Sequence, residues 1–207
     1  MGNNGGAIYI SATADDVSIV NSTFRNNFAK GKSTSYGGAI YWAATDTLSI
    51  ANSTFIGNNA TLGGAICWTS PNGVVTDSTF IGNNATLGGA VYWKGGGEYI
   101  EYKGNYVNTF AVHGNNGKDT NSEFIENTAT NGGAIYWAGE NGNVSNSKFT
   151  DNYAENGGAI YWTNITQKAT YPPTRATTYT KIATTGNNGI VENSTFFANT
   201  ANYETAL

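Results

Sequence analysis

Apolar positions along this chain alternate with polar ones in very short runs, and each run is bounded by Asn or Gly. A period of two predicts short β-strands rather than helices. Val17/Ile19, Leu48/Ile50 and Val75 fill the run ahead of successive N-S-T-F phrases, and the Phe takes the next inward position. A second kind of run opens on Gly-Gly-Ala-Ile or Gly-Gly-Ala-Val and continues into Tyr-Trp. Alternation puts Ile40 and Trp42 on one face of that strand and Ala39 and Tyr41 on the other. Since Ile is the natural core residue, the Trp side is expected inward or at a corner and the Tyr side exposed.

These runs recur as one repeat, roughly N-S-T-F-x-x-N-x-A-x-x-G-G-A-I-Y-W. Six Phe residues (Phe24, Phe55, Phe80, Phe124, Phe149, Phe196) are each followed three positions later by Asn27, Asn58, Asn83, Asn127, Asn152 and Asn199. Ala follows at the fifth position. Six Gly-Gly pairs begin at Gly5, Gly37, Gly63, Gly88, Gly132 and Gly157. From Phe55 to Phe80, and from Phe124 to Phe149, the spacing is 25 residues, the length of one solenoid coil. The predicted fold is all-β: a right-handed single-stranded parallel β-helix of about six coils with two long loop insertions, 94–118 and 163–191. Residues 1–207 form a single β-helix segment, expected to be part of a longer chain. The repeated Asn is expected at a bend, stacking into an amide ladder, and the Gly-Gly at a corner that excludes a Cβ. Strands stacked about 4.8 Å apart pair with their equivalents above and below, so uncapped terminal coils would invite end-to-end pairing with other copies.

Composition narrows the function. Charged residues make up only 12% of the chain, and the net charge is −4, which supplies no basic stripe for nucleic acid. An uncharged Asn, Thr, Ser and Gly surface suits an extracellular setting. No run approaches the ~18 apolar residues of a membrane span. A single cysteine, Cys67, excludes an internal disulfide and reads as a spectator thiol. His113 is the only histidine, so His-based metal sites and Ser-His-Asp triads lack material, and neither a metal nor a cofactor is expected.

The paired motifs "GGAI" and "FxxN" resemble the repeats of the chlamydial polymorphic outer membrane proteins. The phrase "NSTFIGNNATLGGAICW" is also similar to the large adhesin-like surface proteins of methanogenic archaea. The resemblance covers nearly the whole chain apart from the two insertions. It implies a β-helix at the cell surface, extracellular, acting as an adhesin-like stalk with no enzymatic chemistry. A signal peptide and anchor, usual in such relatives, are not found in this segment.

Several candidate sites follow. All five tryptophans (Trp42, Trp68, Trp93, Trp137, Trp162) lie in one column, beside Tyr41, Cys67, Tyr92, Tyr136 and Tyr161. The Tyr column is a candidate platform for sugar rings, each phenol offering an apolar face and a polar tip; the competing reading is a ladder that only stabilises neighbouring coils. The insertions hold Tyr99, Tyr102, Tyr106 and Phe110, then Tyr171, Pro172, Pro173, Arg175 and Tyr179. Aromatic loops on a rigid scaffold suit a host or microbial surface glycan or protein as partner. Glu126 and Asp151 stand two residues after Phe in adjacent coils, a spacing near that of a retaining glycosidase pair or a shared hydrated Ca²⁺. A solvated surface pair is the competing reading. Glu123 and Lys148 are expected to form an ion pair between coils. Of the sequons at Asn21, Asn52, Asn59, Asn84, Asn143, Asn164 and Asn193, Asn164 is the favoured glycan site. Three functions thus stand side by side: a glycan- or protein-binding adhesin-like stalk, a structural protomer that stacks into filaments, and a polysaccharide lyase or hydrolase.

Overall fold

The computed structural model describes residues 4–11, 13–14, 16–43, 49–94, 116–163 and 188–202, together with the strand backbones of 100–102, 105–107, 165–170 and 180–185. It is a parallel β-helix. Three six-stranded sheets, all parallel, run its length. The first, here the aliphatic sheet, consists of Ser18–Val20, Ser49–Ala51, Val74–Thr76, Lys118–Thr120, Asn143–Ser145 and Ile190–Glu192. The Phe sheet follows each of these with Thr23–Arg25, Thr54–Ile56, Thr79–Ile81, Glu123–Ile125, Lys148–Thr150 and Thr195–Phe197. The aromatic sheet holds Ile8–Ile10, Ile40–Trp42, Ile66–Trp68, Val91–Trp93, Ile135–Trp137 and Ile160–Trp162. A fourth side pairs Thr128–Asn131, Tyr153–Asn156 and Thr200–Ala201 and is continued by isolated bridges through Asn84, Asn59 and Phe28. Every strand of these sheets pairs with its equivalent one coil away, which sets like residue on like at most positions: Phe24 on Phe55, Trp93 on Trp137.

Such short strands need sharp corners between them, and the backbone supplies these with left-handed residues. The Asn or Asp opening each N-S-T-F phrase has positive φ (Asn21 51°, Asn52 47°, Asp77 48°, Asn121 55°). A second left-handed corner falls two residues after Phe, at Asn26, Gly57, Gly82, Glu126, Asp151 and Ala198. A third is the first glycine of each Gly-Gly pair, and a fourth the Asn at 72, 116, 141 and 188. Asn tolerates this conformation because its short amide bonds locally. The Gly-Gly pair excludes a Cβ for two separate reasons. Gly37 has φ 60°, and a Cβ there would lie 1.9 Å from the Ile40 carbonyl of its own turn. On Gly38 the added atom would lie 2.0 Å from the Gly64 carbonyl of the next coil.

The repeated Asn three residues after Phe is therefore not the left-handed bend residue expected of it. It points into the core, where Asn58, Asn83, Asn127 and Asn152 are fully buried. The expected amide ladder forms there. Asn83 Oδ1 accepts from both the backbone N–H and the Nδ2 of Asn58, at 2.9 Å each, while Asn83 Nδ2 donates to Asn127 Oδ1 and to the Phe55 carbonyl. Each amide is saturated, which is what lets it sit in a dry interior. The bend falls one residue earlier, where no inward side chain is required.

Phe55, Phe80, Phe124 and Phe149 are wholly buried and stack ring on ring at 4.7–4.9 Å, so that distance is the rise of one coil. The Trp column is inward as expected: Trp42, Trp68, Trp93 and Trp137 are at most 1% exposed, with centroids 4.4–5.1 Å apart. The indoles of Trp68, Trp93, Trp137 and Trp162 each lie over a glycine at the start of the following run. A Cβ on Gly117 would sit 2.4 Å from Trp93 Cε2, and one on Gly73 2.2 Å from Trp68 Cε2. The tertiary contact explains Asn-Gly at 72–73, 116–117, 141–142 and 188–189: Asn turns the chain and Gly leaves room for the ring.

The coil resumes at Asn116 and Asn188, inside the two segments read from sequence as loops 94–118 and 163–191. Each insertion contains an antiparallel two-stranded hairpin, Ile100–Tyr102 with Asn105–Val107 and Ile165–Thr170 with Thr180–Thr185.

Candidate functional site

The Tyr column shares the aromatic sheet with the buried Trp column and faces away from it, yet its exposure is uneven. Tyr9 is 53% exposed, Tyr41, Tyr136 and Tyr161 are half-buried, and Tyr92 is buried at 5%. The expectation of an exposed column thus holds only in part. Sequence alternation fixes which way a side chain points, but what covers it is decided by segments distant in sequence. Tyr36, not singled out by the repeat, packs its ring 5.2 Å from Tyr41. Stacked pairs join Tyr9 to Tyr41 at 5.5 Å, Tyr92 to Tyr136 at 5.1 Å and Tyr136 to Tyr161 at 5.4 Å. Buried Cys67 interrupts the column between them. Burial raises the pKa of Tyr41, Tyr92 and Tyr136, so the phenols stay neutral and keep their donor hydrogens.

Both insertions leave the solenoid directly after strands of this sheet, Val91–Trp93 and Ile160–Trp162. Tyr102 and Tyr106 lie on the paired strands of the first hairpin, opposite Asn105 and Glu101. Tyr99, Phe110, His113, Asn164, Tyr171, Pro172, Pro173, Arg175 and Tyr179 lie outside the described residues.

Glu126 and Asp151 occupy successive coils, the Glu126 N–H donating to the Thr150 carbonyl at 3.0 Å. Both are exposed left-handed corner residues with φ of 54° and 53°, in a column otherwise filled by Asn26, Gly57, Gly82 and Ala198. The position selects for a tight turn. Among the described residues no group of three or more His, Cys, Asp or Glu side chains converges. Glu123 and Lys148 approach to 3.9 Å with both side chains about half exposed, a pair worth at most about 1 kcal/mol.

The chemically unusual group is one the repeat hid. Asp119 stands where the neighbouring coils carry Val75 and Val144, and it is 1% exposed. Its Oδ2 accepts from Ser147 Oγ at 2.8 Å, while Oδ1 has no partner among the described residues. Burial pushes its pKa from 3.8 up to about 7, against the lowering effect of hydrogen bonds from Ser147 and Ser122. The signal was present in N-G-K-D-T-N-S-E-F, which aligns residue for residue with N-G-V-V-T-D-S-T-F one coil earlier. Assigning 94–118 to an insertion obscured it. The serines of the same phrase were also missed: the Ser53 backbone N–H donates to Ser78 Oγ and that of Ser122 to Ser147 Oγ. The Ser53, Ser78 and Ser122 hydroxyls donate in turn to the carbonyl two residues back, whereas the single Ser147 hydroxyl hydrogen is shared between the Ser145 carbonyl and Asp119 Oδ2.

The described side chains are thus arranged as columns: Phe, Trp, Asn and Ser inward, Tyr on one outer face. Comparison with known proteins finds the same unit. The family described as the Chlamydia polymorphic membrane protein repeat matches residues 21–41, 121–136 and 146–161. Each match runs from the left-handed Asn of N-S-x-F through the Gly-Gly corner to the Tyr of the aromatic sheet. The first match is longer by the five residues that separate a thirteen-residue Phe-to-Gly-Gly interval from the usual eight. No curated protein and no solved structure gives a significant match to the chain. In these three stretches the chain is similar to the Chlamydia polymorphic membrane protein repeat.

Proposed function

We propose that this chain is a surface-exposed, non-enzymatic, adhesin-like module. Its β-helix is a rigid stalk that presents the Tyr face and the two insertions to a glycan or protein partner. The observation that carries this reading is the repeat itself. The matched family is one of membrane proteins, and nearly every recurrent inward side chain is committed to stacking between coils, which leaves recognition to outward columns and insertions. Both insertions depart from the sheet that bears the Tyr column, so binding determinants gather on one side.

Adhesion of the chain to cells or to immobilised glycans tests this. Replacing Tyr41 and Tyr136 together by Ala, or shortening the 95–115 insertion, should reduce adhesion at least tenfold without unfolding the solenoid. Unchanged adhesion in both variants removes this face from the mechanism.

A second reading, association through coil stacking, has its own observation. Val191 and Phe196, core residues in every other coil, are 45% and 48% exposed, and Phe197 is 65% exposed. A further coil of the same repeat would cover them, whether from the same chain or another copy. Electron microscopy of the purified chain distinguishes filaments from single particles.

A further inference from the structure

We propose that the fourth side of the solenoid, away from the Tyr column, is a binding surface for a linear, uncharged glycan lying parallel to the solenoid axis. Six outward residues stand in one file there, one per coil: Phe28, Asn59, Asn84, Thr128, Tyr153 and Thr200. Their backbones are bridged in register, so the file is straight. Alternation fixes the direction of each, because the next residue along (Ala60, Ala85, Ala129) is buried in the core. Beyond the alanines a second outward file begins, Thr61, Thr86 and Thr130, joined by Thr86 N–H to the Thr61 carbonyl and Thr130 N–H to the Thr86 carbonyl, each at 2.9 Å.

The chemistry of the two files is that of a sugar site. The first file carries two exposed aromatic rings, Phe28 at one end, 50% exposed, and Tyr153, 40% exposed, one coil before Thr200 at the other. An exposed ring flanked by polar groups offers a hexose its apolar C–H face together with nearby hydrogen bonds. Between the two rings lie only amides and a hydroxyl, Asn59, Asn84 and Thr128, which both donate and accept, as sugar hydroxyls do. Asn84 Oδ1 takes the Nδ2–H of Asn59 at 3.0 Å, an arrangement that orients the two amides and keeps the Asn84 N–H₂ for a ligand. The surface is also recessed. Phe28, Lys30, Asn59, Thr61, Asn84 and Thr86 line a cleft of about 430 Å³, walled by the extra residues of the first coil and within the range of small-ligand sites.

Spacing and charge narrow the occupant. The coil rise of 4.7–4.9 Å is comparable with the length of a pyranose ring. Four coil steps separate Phe28 from Tyr153, so one ring can meet each coil along an extended chain. The central files carry no charge. Exposed Lys30 lies at one end and exposed Glu155 at the other, so an anionic polymer running the whole length would gain at one end and lose at the other. A neutral polymer meets neither obstacle.

This site is independent of the Tyr column and the insertions, and the experiment separates the two. Titrate the full chain with neutral oligosaccharides of graded length by calorimetry and ligand-observed NMR. Affinity should rise with length and level off at about five rings, one for each coil from Phe28 to Tyr153. The double variant Phe28→Ala/Tyr153→Ala should lose at least tenfold in affinity, as should Asn84→Lys, which places a charge mid-file. The loss caused by Phe28→Ala/Tyr153→Ala should be the same in a Tyr41→Ala/Tyr136→Ala background, which isolates this site from the Tyr face. Circular dichroism checks that the variants remain folded, which their exposure favours. No binding of any neutral glycan overturns the proposal, as do affinity independent of length, affinity unaffected by the Phe28/Tyr153 pair, and preference for acidic chains. Mass spectrometry that finds Asn59 or Asn84 already glycosylated would also overturn it, since the surface would then carry sugar rather than read it.

Discussion

Asp119 ties the stability of the solenoid to pH. Its carboxyl is buried at a position filled by Val in the coils on either side, with one oxygen held by Ser147 and the other unpartnered. In the folded chain its pKa is raised to about 7, against 3.8 for an ordinary aspartate. The folded state therefore binds more protons than the unfolded state across that interval. Stability falls as pH rises wherever the native state holds the extra proton. It should be highest below about pH 4, decline through pH 7, and level off above. The full effect is about 4 kcal/mol, at 1.36 kcal/mol per pH unit over the interval between the two values. That is a large part of the 5–15 kcal/mol typical of folded domains. Urea unfolding from pH 4 to 8.5 measures it, and the comparison with Asp119→Asn cancels the titrations common to both chains. Asp119→Asn keeps an acceptor for Ser147 Oγ and cannot ionise, so its profile should be flatter and its stability at pH 8 higher than that of the parent. Asp119→Val should behave alike, since Val75 and Val144 already fill that column. Parallel pH profiles for parent and Asp119→Asn would refute the reasoning, because they would mean that water or a counter-charge reaches the carboxylate.

Four more outcomes follow from the columns. Asn83→Ala removes two donated and two accepted hydrogen bonds in a dry core, and denaturant titration should show a loss of about 3–5 kcal/mol, the orphaned Phe55 carbonyl and Asn58 N–H included. Gly117→Ala forces its new Cβ against Trp93 and should cost about 1–3 kcal/mol more than backbone strain alone. Gly82→Asn, with open space around it and Asn26 in the equivalent place, should be nearly neutral in a thermal melt. Cys67 is fully buried and its thiol pKa is raised by that burial, so a thiol reagent should modify it at the rate of unfolding, and in denaturant at once.

Much of this fold was legible because the repeat makes each coil the template of the next. The columns of Phe and Trp and the stacking of the repeated Asn were readable from register alone, since parallel in-register pairing puts like residue on like, but the Asn was expected at a bend and lies in the core. The acid pair shows where reading by type misleads. Glu126 and Asp151 suggested chemistry, yet their column of Asn, Gly and Ala is defined by a left-handed φ, a constraint on backbone rather than on charge. Asp119 shows the opposite failure. It lay one residue beyond what the spacing presented as an insertion, and only the resumed coil at Asn116 put it against Val75 and Val144.

Sequence by itself determined the coil count, the alternation that sends Ile and Trp inward, and the places where the chain leaves the solenoid, because these depend on local period and on self-pairing between equivalents. Tertiary structure alone decided the depth of each outward residue, from Tyr9 at 53% exposure to Tyr92 at 5% in the same column. It also decided which glycine answers to a neighbouring carbonyl, which lies beneath an indole, and which carboxylate is cut off from water. Those outcomes arise from atoms one coil or more away, and spacing along the chain carries no record of what covers a side chain once the coils have stacked.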